Sequence, residues 1–210
     1  MKQHTTARQA RVEEQDHLGL ERLIFFSDAV FAIAITLLAL EIRLPAGSDI
    51  RSDGELLAAL LGIWPRYLSY GISFLVIGMY WMSHHRMFRS IARYDGRLMF
   101  LNLLLLLCVG FIPFPTSIIG EYTGQVATVF YALTMIVTGL MTWALWWYAS
   151  GAGGRLLARP LDARQLRNSR LRTLVAPLVF VISLGISFVN DDLARLSWLA
   201  IAPLLLVLHP

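Results

Sequence analysis

The chain has a single cysteine, Cys108, placed mid-way along an apolar run, so an intrachain disulfide is excluded and the thiol reads as inert packing. Charge is equally scarce. Only 15% of residues are Asp, Glu, Lys or Arg against 57% hydrophobic, and the mean hydropathy of +0.61 excludes an ordinary soluble domain. Period-two alternation is missing too: runs such as LNLLLLLCVGFI are continuous, which excludes a membrane barrel and leaves helices as the only spanning structure. Residues 1–19 carry Glu13, Glu14 and Asp16 and have no apolar core of their own, so no cleavable signal peptide is expected. No internal repeat is visible.

What is present is apolar length. A bilayer crossing takes about 20 mostly apolar residues, and the sequence divides into six such stretches, near Leu20 to Arg43, Glu55 to Ser83, Arg97 to Ile119, Gln125 to Ser150, Leu171 to Asn190 and Leu193 to Leu208. The expected fold is therefore an all-α integral membrane protein with six transmembrane helices. Its expected organisation is an N-terminal tail over 1–19 and a transmembrane domain over 20–210. Basic residues set the orientation. Lys2, Arg8, Arg11 and Arg22 lie at or before the first span, Arg86, Arg89, Arg93 and Arg97 follow the second, and six arginines from Arg155 to Arg172 follow the fourth. Both termini are accordingly expected in the cytoplasm. The pI near 9.6 is explained by this topology and by anionic lipid headgroups, without a nucleic-acid partner.

The connections are short. Asp49 to Asp53 and Glu121 to Gly124 read as outer turns, and Asp191-Asp192 joins the last two spans as a tight hairpin. The one sizeable connection, Gly151 to Arg170, opens with GAGG but lacks the preceding strand and following Lys-Ser/Thr of a nucleotide loop, and reads as a flexible linker. Pro113 and Pro115 are expected to bend or end the third helix, and Pro177 and Pro203 to kink the last two. Trp143, Trp146, Trp147 and Tyr148 read as an interfacial aromatic belt.

The most informative span is the first, RLIFFSDAVFAIAITLLALEIR. Its strongly polar interior is the pair Ser27-Asp28. A carboxylate inside a membrane is costly, so Asp28 calls for a partner. Arg22 is six residues away, about 240° around the helix, and cannot bridge it. Partners must come from other helices. YWMSHHRMF offers Trp81, His84 and His85 at the same depth, and the third span offers Asn102. A network of Arg22, Ser27, Asp28, Trp81, His84 or His85 is expected. Adjacent histidines project about 100° apart and chelate poorly, and no second His or Cys cluster completes a metal site, so structural hydrogen bonding is expected of them, with a proton-relay role as the alternative. Ile33, Thr36, Leu37 and Leu40 follow i, i+3, i+4, i+7 spacing and form one stripe. Taken alone, such a stripe is a packing face. In a symmetric oligomer it can also face the central axis.

The string Arg22-x-x-x-Phe26-Ser27-Asp28, followed by AVFAIAITLLALEI and by WMSHHRMF, resembles the prokaryotic members of the TMEM175 family of potassium-permeable channels over nearly the whole chain. The resemblance implies a homotetramer in which the first helix of each subunit lines a central pore. It implies that Ile33 is the first hydrophobic constriction, Leu37 and Leu40 are further apolar layers, and Thr36 is the threonine associated with cation selectivity. Arg22, Phe26, Ser27 and Asp28 would then hold the pore helix against its neighbours. The function so implied is a potassium-permeable cation channel of the cell membrane, modestly favouring K+ over Na+. Its partners would be itself, membrane lipids and K+ ions, and it would need no cofactor. Proton leak, which the eukaryotic relatives suggest, is the alternative. A secondary transporter of a small cation would want inverted repeats and broken midplane helices. An enzyme would want a nucleophile–base pair, and Ser83 and His84, being adjacent, point apart. The absence of arginine at every third position argues against a voltage sensor.

Overall fold

The computed structural model describes residues 2–44, 50–151 and 154–201, with side chains of the first helix from His17 onward. The described residues are helical throughout, apart from their connections. The elements are α1 (Lys2–Ala39), α2 (Asp53–Gly62), α3 (Trp64–Phe88), α4 (Gly96–Phe111), α5 (Pro113–Glu121), α6 (Gln125–Gly151), α7 (Ala163–Thr173), α8 (Val175–Ser187) and α9 (Asp191–Ser197), the last followed by a 3₁₀ turn over Trp198–Ala200. Four stretches are long and apolar enough to cross a membrane, and a fifth crossing is added if α2 and α3 are one bent span. The expected sixth span, Leu193 to Leu208, is described only through α9 and Ile201, and the remainder lies outside the described residues.

Several boundaries differ from the expected ones, each for a local reason. Residues 2–19 are helical and continuous with the first span, because α1 begins at Lys2 and runs unbroken to Ala39. Its far end tightens into 3₁₀ geometry, with the amides of Leu40, Glu41 and Ile42 each bonding three residues back. The second span is not straight. Pro65 cannot donate to Leu61, the Ile63 amide takes that carbonyl instead, and α2 and α3 meet at 46°. Pro113 and Pro115 interrupt the third span only at Ile112, which keeps helical angles, so Gly96–Glu121 serves as one span. The supposed linker Gly151 to Arg170 is half helix. Asp162 caps α7 in a reciprocal capping box with Gln165, and α7 and α8 together make one 25-residue stretch. Between them, Leu174 marks the point where Pro177 leaves the Thr173 carbonyl without its helical donor.

α6 is the hub, packing on α4 and α5 on one side and on α7, α8 and α9 on another, while α1 packs on α3, α4 and α5. Aromatic burial closes the core. Tyr131 of α6 stacks on Trp198 at 4.6 Å and lies 6.2 Å from the ring of Phe180 on α8. Trp146 departs from the expected belt: it is 3% exposed and donates to Ser169 of α7 at 3.0 Å, leaving Trp143 and Trp147 to stack near the surface. Hydroxyls cross-link the helices where lipid offers no partner. Tyr80 donates to the Met135 carbonyl at 2.7 Å, and Ser73 lies 2.9 Å from Tyr131 and 2.8 Å from Thr116.

The α6–α8 contact depends on a missing side chain. A Cβ on Gly139 would stand 2.8 Å from Pro177 Cδ and 2.9 Å from Cγ, and a proline ring cannot rotate aside. Gly139→Ala is expected to destabilise the fold by about 1–3 kcal/mol through overpacking, read as a lowered melting temperature in detergent. Gly110→Ala, with nothing within 4 Å of its Cβ, should not lower it. Equal melting of the two variants would mean that the α6–α8 seam tolerates separation.

Candidate pore helix and its anchoring network

α1 divides cleanly into two faces. Leu20, Leu23, Ser27, Phe31, Ala34 and Leu38, spaced by three or four residues, are buried against the other helices. On the other face Ile33, Thr36, Leu37 and Leu40 are exposed, Ile33 at 57% and Leu40 at 59%. The eight residues from Ile33 to Leu40 span seven rises, about 10 Å of axis at about 1.5 Å per residue.

Two separate hydrogen-bonded groups hold the buried face. In the first, Ser27 donates to the Leu23 carbonyl at 2.8 Å, so its oxygen accepts from Asn102 Nδ2 on α4 at 2.9 Å. The Asn102 amide oxygen must then accept from His84 Nε2 on α3, also at 2.9 Å. Direction is fixed along the whole chain, and it makes His84 the Nε2–H tautomer. All three side chains are fully buried, and the imidazole is stacked on Phe88 at 4.2 Å with Phe31 at 5.5 Å. Its Nδ1 has no hydrogen-bond partner among the described residues. In the second group, Trp81 Nε1 donates to Asp28 Oδ1 at 2.8 Å, and the His85 ring leans on the indole at 5.6 Å.

Three residues expected in one network fall outside it. Arg22 and Phe26 lie on the exposed face, Phe26 at 51%, and among the described residues Arg22 makes no hydrogen bond or ion pair. His85 is exposed and touches the network only through Trp81. The cause is helical phase: Arg22, Phe26 and Ile33 share the side of α1 that turns away from α3 and α4, whereas Ser27 lies on the side that packs. Asn102, expected as one partner among several, is the central member.

Of the relatives, a protein named as a potassium channel from Streptomyces collinus is 41% identical over 177 residues, which make up 82% of this chain and 84% of that protein. The family profile described as "Endosomal/lysosomal potassium channel TMEM175" matches residues 22–113, a range that runs from Arg22 through α4. The chain belongs to the TMEM175 family. A protein named as a potassium channel from Chamaesiphon minutus is 37% identical over 181 residues, covering 84% of this chain and 87% of its own length. Among solved structures, the lysosomal potassium-selective channel TMEM175 homolog from Chamaesiphon minutus superposes with a TM-score of 0.78 at 30% identity, covering 91% of this chain and 99% of the other.

The chain has a second tie at the opposite end of α1 that the sequence reading overlooked. The Arg66 guanidinium donates to the Arg43 carbonyl and lies 3.7 Å from Glu121, joining the ends of α1, α3 and α5. The signal was an arginine near the start of an apolar span with an acid at the end of another. At the arginine-rich end, the Asp95 carboxylate caps α4 and accepts from Tyr148 Oη at 2.6 Å with Arg155 at 3.7 Å. Partial desolvation pushes the Asp95 carboxyl up, but the Tyr148 and Leu98 hydrogen bonds and the Arg155 charge outweigh it and hold the group below its ordinary value.

Proposed function

We propose that this chain is the subunit of a potassium-permeable cation channel of the cell membrane, a homotetramer with six transmembrane helices per subunit and both termini in the cytoplasm. In this reading residues 20–210 form the channel domain, residues 1–19 are its cytoplasmic tail, and α1 from each subunit lines a central pore. The observation that carries it is the pairing of two faces on one helix. Ser27 is bolted inward through Asn102 and His84, which turns the stripe Ile33, Thr36, Leu37 and Leu40 outward and uncovered. An uncovered apolar stripe alone would suit lipid. Arg22, exposed on the same side, and Asp28, half-exposed on its flank, favour water or a neighbouring subunit there, since lipid solvates neither charge. The names of the relatives point the same way.

Within that pore Ile33 supplies the constriction, with Leu37 and Leu40 as further apolar rings that hinder hydration. Thr36 supplies oxygen. Its hydroxyl proton is donated to the Ile33 carbonyl at 2.9 Å, which leaves the lone pairs directed outward, toward a partly dehydrated cation. K+, less tightly hydrated than Na+, loses less on entering such a ring, so selectivity is modest. Ser27, Asp28, Trp81, His84 and Asn102 set the position of the helix and take no part in conduction, with His85 braced against Trp81 and with Arg22 and Phe26 turned away from that network.

Cation flux into proteoliposomes tests this reading, under a K+ gradient, then an equal Na+ gradient, each with a protonophore. Uptake favouring K+ without a coupling ion is expected. Thr36→Val, the same shape without the oxygen, should keep flux and bring K+ and Na+ toward parity. Dependence of K+ uptake on Na+ or on a proton gradient would make the protein a transporter, and proton flux alone would make it a proton leak.

A further inference from the structure

Where α3 faces α7 and α8, at the arginine-rich end of the bundle, lies a cavity of about 270 Å³ that no part of the pore reading uses. Its inner wall is apolar, formed by the buried Val76, Tyr80 and Trp146 and the partly buried Ala176, while Arg86 and Arg172 stand on its rim. The polar atoms of that wall are already committed. Tyr80 donates to the Met135 carbonyl at 2.7 Å, Trp146 to Ser169 at 3.0 Å and Thr142 to the Thr138 carbonyl at 2.9 Å. The two guanidiniums are not. Among the described residues neither forms an ion pair or a side-chain hydrogen bond, although both line the same cavity. Two like charges facing one space, one of them half-buried, are a poor arrangement unless an anion lies between them.

We propose that this cavity seats an anionic phospholipid from the leaflet on the arginine-rich side, its phosphate held between Arg86 and Arg172 and the first part of one acyl chain laid along the apolar wall. A phosphate offers several acceptor oxygens to two forked donors, the geometry guanidinium groups match best. Volume agrees with a lipid only partly enclosed, since the space is close to the lower end of ligand pockets, about 300 Å³. A free anion would leave the apolar wall without purpose, and a neutral lipid would leave the arginines unpaired. The seat also has a mechanical consequence. α7 and α8 rest mainly on α6 and on α9, and α3 meets them chiefly across this cavity, so a bound lipid would fasten α3 to the α7–α8 pair. The proposal does not depend on what the pore conducts.

Thermal melting of the purified full chain in detergent tests it, titrated with dioleoylphosphatidylglycerol, dioleoylphosphatidylcholine or inorganic phosphate. The anionic lipid is expected to raise the melting temperature well beyond the other two. Arg86→Gln or Arg172→Gln should raise the lipid concentration for half of that effect by about tenfold, the loss of one charge-assisted hydrogen-bonding partner. Ala176→Phe, which fills the wall without removing charge, should weaken the lipid effect as well. Arg167→Gln, an exposed α7 arginine outside the cavity, should leave it intact. Equal protection by phosphatidylcholine, equal protection by inorganic phosphate, or an equal loss in Arg167→Gln would each overturn the proposal, the last by assigning the effect to general surface charge.

Discussion

Ile33→Asn should raise K+ flux through the reconstituted protein by about tenfold or more. A ring of isoleucines resists conduction because water withdraws from an apolar constriction and an ion must enter without its shell. An amide at that position offers both a donor and an acceptor, so the constriction stays wet, and each 1.4 kcal/mol removed from the barrier is worth about tenfold in rate. The variant is also a test of which way the stripe faces. Ile33 is 57% exposed in the single subunit, and Leu107 of α4 is 70% exposed. If both meet lipid, Ile33→Asn and Leu107→Asn should behave alike, each costing stability and neither raising flux. If Ile33 lines a pore, its variant alone gains flux. Unchanged or reduced flux in a correctly assembled Ile33→Asn protein would remove Ile33 from the gate and return the stripe to packing.

How far the sequence reached can be judged residue by residue. Asp28 was legible because a carboxylate within an apolar span has so few tolerable fates, and Trp81, at the same depth on another helix, is the donor it met. Helix existence was legible for the same reason: long apolar runs admit little else. Direction around the helix was less so. Arg22 belongs to the same short string as Ser27 and Asp28, yet six residues place it on the far side of α1 from the α4 contact, and sequence proximity hid that. Trp146 was misjudged because four aromatic residues within the six positions 143–148 look like a belt, when Ser169, on the helix α7 hidden in the supposed linker, decides that one indole points inward. The bend at Ile63 had a signal in Pro65, which was passed over because the surrounding composition satisfied the length of a crossing. α7 was passed over because its ARQLRNSRLRT is polar. Its start is fixed by the Asp162–Gln165 capping box, a pattern readable from spacing alone. What remained illegible was long-range and polar: which amide joins which imidazole across separate helices.

Asn102 is the residue on which that long-range pattern turns, and Asn102→Leu is expected to be among the most damaging single substitutions in the subunit. Leucine has nearly the same size and shape, so little of the effect comes from packing. The two lost hydrogen bonds matter modestly by themselves, since side-chain bonds between membrane helices average about 0.6 kcal/mol. The stranded groups matter more. Ser27 keeps its bond to the Leu23 carbonyl and is little affected, whereas the His84 Nε2–H is left fully buried between Phe31 and Phe88 with no acceptor. A buried donor in that state costs about 1–3 kcal/mol. The ring already carries an unpartnered Nδ1, so it gains nothing by changing tautomer. A tautomer shift would move the proton to Nδ1 and strand it there instead. Asn102→Leu should therefore lower the melting temperature clearly, and His84→Phe placed on top of it should restore part of the loss, because the stranded donor is then gone. Flux adds a readout that a purely structural role would not move. On the proposed reading, in which this chain of bonds sets the rotation of α1 and Ile33 and Thr36 line a pore, its loss lets both drift from the axis, and the K+ over Na+ preference should fall in Asn102→Leu protein that still assembles. Native melting and native selectivity in that variant would show that α1 is held by its apolar face alone, with the hydrogen-bonded chain a passenger.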